Sequence, residues 1–345
     1  AWLAGDYAGL RSRSAEAGVN WSVDYTGEVL GNVMGGLERG AVYTGLLALA
    51  SELDLGRTVG WERAVLSGSA VFPHGESLTE GYAGDLFVAS NLDARQEFRL
   101  FELWVEDLFW EERLSLRVGQ LAADSEFAGT ERGSLFVNAT LGWPAILGVN
   151  VPAPAYPVGA LGGLRLGGWY HTGLFEHQRM DSAGRSLADP AGSGEPRLVR
   201  GNGGFYAALE QELTRESVLE GADRQGLGMF GRVGWASGDR NPVQVYIDGG
   251  VTYQGLIPVR NADLCGVAVA YGGMSRDLRR LGADAAALGE GGVRPDYEVV
   301  VEGAYQFEVR SGWVLQGVVQ YMVHPGGTAE LDDALALGVR TTLTL

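Results

Sequence analysis

The chain has 345 residues, with 43 Asp and Glu against 26 basic residues, every one of them Arg, for a net charge of −17. The absence of Lys excludes Walker-type phosphate binding and Schiff-base or Lys-nucleophile chemistry, and the acidic balance argues against a nucleic-acid partner, whose phosphates attract basic patches. Glycine reaches 54 residues without a collagen period, and 46% apolar residues at a mean hydropathy of +0.00 mark a folded chain.

Residues 1–18 show no basic region followed by an apolar one, so any export signal is expected to have been removed. Residues 10–17 read as a short amphipathic helix at or inside one mouth of a barrel formed by the rest of the chain. From there a unit of about 10 to 13 residues recurs, alternating with a two-residue period and closed by Gly, Asp, Asn or Pro, which is a β signal. Thirteen strands are expected: 19–31, 40–54, 62–73, 97–109, 113–121, 164–173, 203–213, 226–236, 243–254, 264–274, 296–308, 312–323 and 333–345. The last three are the clearest. Tyr297, Val299, Val301 and Tyr305 oppose Glu298, Glu302 and Gln306; Trp313, Val319 and Tyr321 oppose Gln316 and Gln320; Leu337 and Val339 oppose Arg340.

These strands are about twice as long as those of a soluble sandwich and are bounded by aromatic residues. A strand crossing hydrocarbon at a tilt needs about 9–11 residues, apolar toward lipid and polar toward the lumen, with Trp and Tyr at the interfaces. The fold class expected is therefore all-β, a transmembrane antiparallel β-barrel spanning residues 19–345. No run of about 18 apolar residues offers a spanning helix. The lone Cys265 excludes an intrachain disulfide and reads as a small apolar filler.

The connections alternate at first: 55–61 short, 74–96 long, 110–112 tight, 122–163 very long. Then 174–202 is long, 237–242 brief, 275–295 long and 309–311 tight. Counted strictly, 122–163 and 174–202 would leave opposite ends of a single strand. Thirteen strands would also leave the first and last parallel at closure, whereas bacterial single-chain barrels have even numbers. Strands are therefore expected to be missing near residues 159–164.

Short blocks along nearly the whole chain carry a resemblance. They are Gly5-Asp6-Tyr7-Ala8-Gly9-Leu10-Arg11, Asn32 with Gly35-Gly36, Arg99-Leu100-Phe101-Glu102-Leu103-Trp104, and Arg117-Val118-Gly119-Gln120. Asp124 to Phe127, Leu135-Phe136-Val137-Asn138 and Gly168-Trp169-Tyr170-His171-Thr172-Gly173 come next, then Tyr305-Gln306, and Gln320-Tyr321 with His324-Pro325-Gly326-Gly327. In this order the chain resembles the carbohydrate-selective porin family of bacterial outer membranes, the OprB type. The resemblance implies a 16-stranded barrel for passive diffusion of sugars, with three further strands between Pro157 and Trp169. Here Val158 to Arg165 joins the flanks directly, so a stretch is expected to be omitted between about Gly159 and Leu164. A chain running with normal Cα spacing there would leave a smaller barrel.

A sugar carries no charge, so a selective pore needs hydrogen-bonding groups on its wall and aromatic faces for the apolar sides of the ring. The 97–121 hairpin offers both. A two-residue turn at Glu111-Glu112 sets Glu106 opposite Arg117 and Trp104 opposite Gly119. If Phe101, Leu103, Val105 and Phe109 face lipid, then Glu102, Trp104 and Glu106 face the lumen with Arg113, Ser115 and Arg117, because a lipid-facing charge costs about 2–4 kcal/mol at mid-depth. For any single residue the plainer reading, that opposed Glu and Arg brace a polar wall, stands ahead of sugar contact. The 122–163 segment is the candidate constriction loop, with Asp124, Glu126, Glu131, Arg132, Asn138 and Trp143 as lumen contacts. The 74–96 loop, with Asp93 and Arg95 leading into Arg99, assists it. An external flap in solvent is the alternative for each of these residues.

Other motifs are weaker. His171 and His177 lack carboxylates at ligand spacing, Asn138-Ala139-Thr140 matches a glycosylation sequon by chance, and Asp332-Asp333 reads as a solvated turn more readily than a calcium site. No cofactor, metal or catalysis is expected. The partners expected are permeating sugars and outer-membrane lipid, in a monomer or a homotrimer, with a mildly cation-favouring lumen. The rivals are a general diffusion porin and a plugged structural barrel. An enzyme stands last, since four scattered His offer no triad.

Overall fold

A computed structural model describes residues 2–93, 96–110, 113–122, 127–151, 156–159, 163–214, 225–289 and 293–345, the stretch 156–159 by its backbone alone. Arg95, Asp124, Glu126 and the expected turn Glu111-Glu112 lie outside the described residues. Fourteen strands occur among them: β1 Val19–Met34, β2 Gly40–Asp54, β3 Ala64–Gly75, β4 Arg99–Phe109, β5 Leu114–Gln120, β6 Tyr156–Gly159, β7 Leu164–Asp181, β8 Pro196–Glu212, β9 Gly226–Ala236, β10 Val243–Gln254, β11 Leu264–Met274, β12 Tyr297–Arg310, β13 Trp313–Val323 and β14 Ala334–Thr344. They form one antiparallel sheet in chain order, and β1 also pairs with β14, Glu28 opposite Arg340. The sheet curls into the wall of a β-barrel. Its two ends are β5 and β6, which do not pair with each other among the described residues.

The count is one more than alternation gives and two fewer than the resemblance implies. The additional strand, β6, falls inside the expected 122–163 loop; its four residues are too few to show a period. It resolves the conflict of parity. With β6 present, the connections 121–155 and 182–195 leave the same end of the barrel, together with 76–98 and 275–296. The start of β1 and the end of β14 lie at the opposite end. Residues 160–162, where chain continuity bears on an omitted stretch, lie outside the described residues.

Two strands run further than alternation indicates. β7 continues to Asp181 and β8 begins at Pro196, the two pairing through Leu174↔Arg200 and Asp181↔Pro196. The polar run His177-Gln178-Arg179 hides this extension because it puts polar residues on both faces and so breaks the apolar alternation. The 275–295 connection holds a helix, Arg276–Ala287, which β alternation does not suggest. The Ser275 hydroxyl caps it by accepting the Leu278 N–H at 3.2 Å, and Arg179 pins it by donating to Asp284 at 2.8 Å. The N-terminal helix spans Leu10–Glu16. Arg11 ties it to the wall: its guanidinium lies 3.6 Å from the Trp2 ring and 4.1 Å from the Trp21 ring, and donates to the carbonyls of Trp21 and Leu345.

Burial is inverted relative to a soluble protein. Val339 is 57% exposed and Val29 52%, whereas Glu298 and Glu302 are 0% and Arg232 2%. Apolar side chains point out of the cylinder and charged ones into it, the pattern hydrocarbon imposes. The interior is filled by two inward segments, 76–93 and 127–151, and glycines on the inner wall make the room. A Cβ at Gly272 would lie 2.6 Å from the Phe87 ring, one at Gly266 3.0 Å from Leu135, and one at Gly228 1.9 Å from the Arg132 guanidinium. Part of the glycine excess thus arises from close approach between wall and loop.

Candidate functional site: the narrowed lumen

Segment 127–151 folds as three single turns, Arg132–Leu135, Ala139–Gly142 and Ala145–Gly148. Phe136, Val137, Leu141 and Ile146 along it are fully buried. Such short turns leave backbone groups without intrahelical partners, and the barrel wall supplies them. Glu302 accepts the N–H of Val137 (2.6 Å) and Asn138 (2.8 Å), and Gln316 donates to the Leu135 carbonyl (2.5 Å). Arg232 closes the end of the Ala139–Gly142 turn, donating to the carbonyls of Thr140 (3.0 Å), Leu141 (2.6 Å) and Gly142 (2.8 Å), and also to that of Ala128 (3.0 Å). Its charge is met by Asp248, which also accepts the Tyr246 hydroxyl at 2.6 Å.

Segment 76–93 docks in the same manner on the neighbouring wall. Glu298 accepts the N–H of Leu86 (2.7 Å) and Phe87 (2.9 Å), and Gln320 donates to the Ala89 carbonyl (2.8 Å). Ser90 donates to Glu28, which pairs with Arg340, and Arg340 donates in turn to Asn91 at 2.7 Å. Each wall group here is charged or an amide and each is satisfied. Charge-assisted bonds of this kind fix a loop more firmly than neutral ones.

Between these segments and the wall lies a cavity of about 890 Å³. Thr26, Arg340 and Thr342 border it from β1 and β14, Arg165 and Glu210 from β7 and β8 across the barrel, and Asn91, Asp93, Glu131 and Trp143 from the two segments. Arg165 donates to the Gly129 carbonyl (2.7 Å) and to Glu210 (3.3 Å), while Glu210 accepts the backbone N–H of Glu131 and Arg132. Burial pushes the Asp93 carboxyl above the usual range, partly offset by the Ser77 hydroxyl. Toward the barrel end that carries the start of β1 lies a smaller chamber of about 300 Å³, bordered by Arg132, Glu210, Glu212, Thr252 and Gln254.

Of the residues singled out from sequence, Arg132, Asp93, Glu131 and Trp143 border these two cavities. Asn138 is buried at the docking contact with Glu302. The hairpin residues stand elsewhere. Glu106 is opposite Arg117 and Trp104 opposite Gly119, with Arg117 over the Trp104 ring at 4.2 Å and 3.3 Å from Glu106. Glu102 accepts the Ala122 N–H at 3.0 Å, Arg99 lies 3.1 Å from Glu97, and Arg113 is exposed just before β5. They form a polar stripe on the inner face of β4 and β5, beside the sheet end, and none of them borders the 890 Å³ cavity. The residues that sequence reasoning passed over are Arg165, Glu210, Arg340, Glu28 and Arg232. Arg340 stood on the polar face of the clearest strand, and that parity was the available signal.

Exposed apolar strands around a wet, charged interior narrowed by inward loops define an outer-membrane diffusion channel. The sequence profile of the carbohydrate-selective porin, OprB family matches residues 38–164 and 161–345, and the chain belongs to that family. Its function is passive diffusion of carbohydrates across the bacterial outer membrane. It is similar to Porin B of Pseudomonas aeruginosa, with 22% identity over 418 aligned positions that cover 98% of this chain and 90% of that protein. The high-pH structure of OprB from Pseudomonas putida superposes with a TM-score of 0.85 at 20% identity, covering 100% of this chain and 98% of the other. The outer membrane channel DcaP of Acinetobacter baumannii matches with a TM-score of 0.53 at 11% identity, over 95% and 97% of the two chains.

Proposed function

We propose that sugars pass through the 890 Å³ cavity, that segment 127–151 sets its width, and that Trp143 gives the apolar ring face its aromatic platform. The observation that carries this reading is the charge balance of the wall. Arg340 is matched by Glu28 and Arg165 by Glu210, so the lumen offers many hydrogen-bonding groups with little net field. That composition suits an uncharged polyhydroxy solute better than an anion. Asp93 and Glu131 leave a small negative excess, which favours cations among ions. No step requires a catalytic group, and because the path lies within one chain it serves a monomer or a homotrimer equally.

The hairpin residues Arg99, Glu102, Trp104, Glu106, Arg113 and Arg117 act, in this reading, as a braced polar wall behind the main path. The test is block of ion current by sugars in planar bilayers. Added maltose or glucose should raise current noise in the native protein, and Trp143→Ala should weaken that block while conductance in salt is retained. Equal block by Trp143→Ala would remove the tryptophan from the path.

The connection between β6 and β7 is where this reading places the further residues expected from the sequence. The two matched segments meet at 161–164, and the 418 aligned positions exceed the length of this chain. Peptide mapping of the protein from its own membrane is expected to yield no peptide running directly from Gly159 to Leu164. Recovery of such a peptide would establish the shorter barrel.

A further inference from the structure

We propose that Asp85 is an acid-closed latch: a proton on its buried carboxyl, next to the backbone groups that Glu298 holds, keeps segment 76–93 against the wall and narrows the pore, and its loss loosens the segment. Glu298, at the loop-bearing end of β12, accepts three backbone N–H groups, those of Leu86 (2.7 Å), Phe87 (2.9 Å) and Gly326 (2.7 Å). Asp85 directly precedes Leu86, so its carboxyl occupies the same closed interior. It is 5% exposed, and neither of its oxygens has a hydrogen-bond partner.

Among the described residues no cation acts on Asp85. Asp93 of the same segment acts on Asp85, and Glu80 acts on Asp93. From the turn that carries Gly326, His324 presents its ring to Tyr297 at 4.6 Å, and its backbone N–H is bonded to Asp333. A carboxylate in a dry site with neither a hydrogen-bond donor nor a counter-charge is driven to its neutral form. The oxygens of Glu298 are already committed to N–H donors, which leaves few lone pairs for a metal. A proton is the remaining counter-charge.

Burial pushes the Asp85 carboxyl up to about 6 from its ordinary 3.8. The docked segment therefore binds the proton more tightly than the undocked one. Docking is fully supported below pH about 4, loses support as pH rises, and is weakest above about 6. A difference of about two units corresponds to a change of up to about a hundred-fold in the ratio of docked to undocked segment. Asn91 and Asp93 of this segment border the main cavity, so loosening alters the path itself.

The experiment is amide exchange of the whole protein in detergent at pH 4.5 and 7.5, corrected for intrinsic rates, alongside single-channel recording. Leu86 and Phe87 are expected to exchange faster at pH 7.5, with a wider pore, and Asp85→Asn to abolish the pH dependence of both. Unchanged protection of the native protein between the two pH values would overturn the proposal, as would a native-like pH response in Asp85→Asn. Release of the segment by a chelator at pH 7.5, reversed by calcium, would also overturn it in favour of a metal ion. Should Asp85→Asn fail to fold, exchange in the native protein decides alone. That measurement does not depend on transport, so its failure is separable from failure of the sugar path.

Discussion

Arg232 shows how much one buried side chain carries. Its guanidinium is 2% exposed, pairs with Asp248, and satisfies four loop carbonyls. Arg232→Met leaves Asp248 buried without its counter-charge and those carbonyls without donors, and breaking a buried pair in this way costs about 3–5 kcal/mol. Denaturant unfolding of the reconstituted protein should show that loss, and Arg232→Met with Asp248→Leu together should recover part of it. Equal loss in the single and double variants would show that loop capping, and not the ion pair, dominates. Arg340 lies closer to the solute. Arg340→Gln frees Glu28 toward the cavity, so cation preference over anions, read from reversal potential in a salt gradient, should increase.

At the scale of elements, the glycine-lined wall and the inward segments form one device. Gly272→Leu places a side chain where the Phe87 ring sits, 2.6 Å from the Cβ position. The result expected is expulsion of segment 76–93 and a larger single-channel conductance; unchanged conductance would mean that the wall absorbs the bulk instead. Elements of this kind differ in how far sequence exposes them. The strands from β9 to β14 were legible because each alternates over a full membrane crossing, and a one-residue slip would turn every charge toward lipid. The pairing of Glu106 with Arg117 was legible for the same reason. β6 was not, since four residues carry no period, nor was the end of β7, whose emerging tip is polar on both faces. The docking of 127–151 was hardest to read. Its anchors, Glu302, Gln316 and Arg232, are scattered over three strands and become a site only when the sheet curls.

For the whole molecule, the governing feature is a sheet with its apolar face outward. Val339, 57% exposed near the middle of β14, should report on this directly. Val339→Arg places a charge in hydrocarbon and should cost about 2–4 kcal/mol in folding titrations into lipid vesicles, whereas the same change at a position in the 182–195 loop should cost little. Val318 makes the converse test, since it faces inward on β13 and is buried. The central claim, that this cylinder encloses a path favouring uncharged sugars, is tested most directly by swelling of liposomes containing the purified protein. Mono- and disaccharides should enter faster than charged solutes of equal size. Equal rates would contradict the sugar preference, and no swelling with any solute would show a plugged barrel.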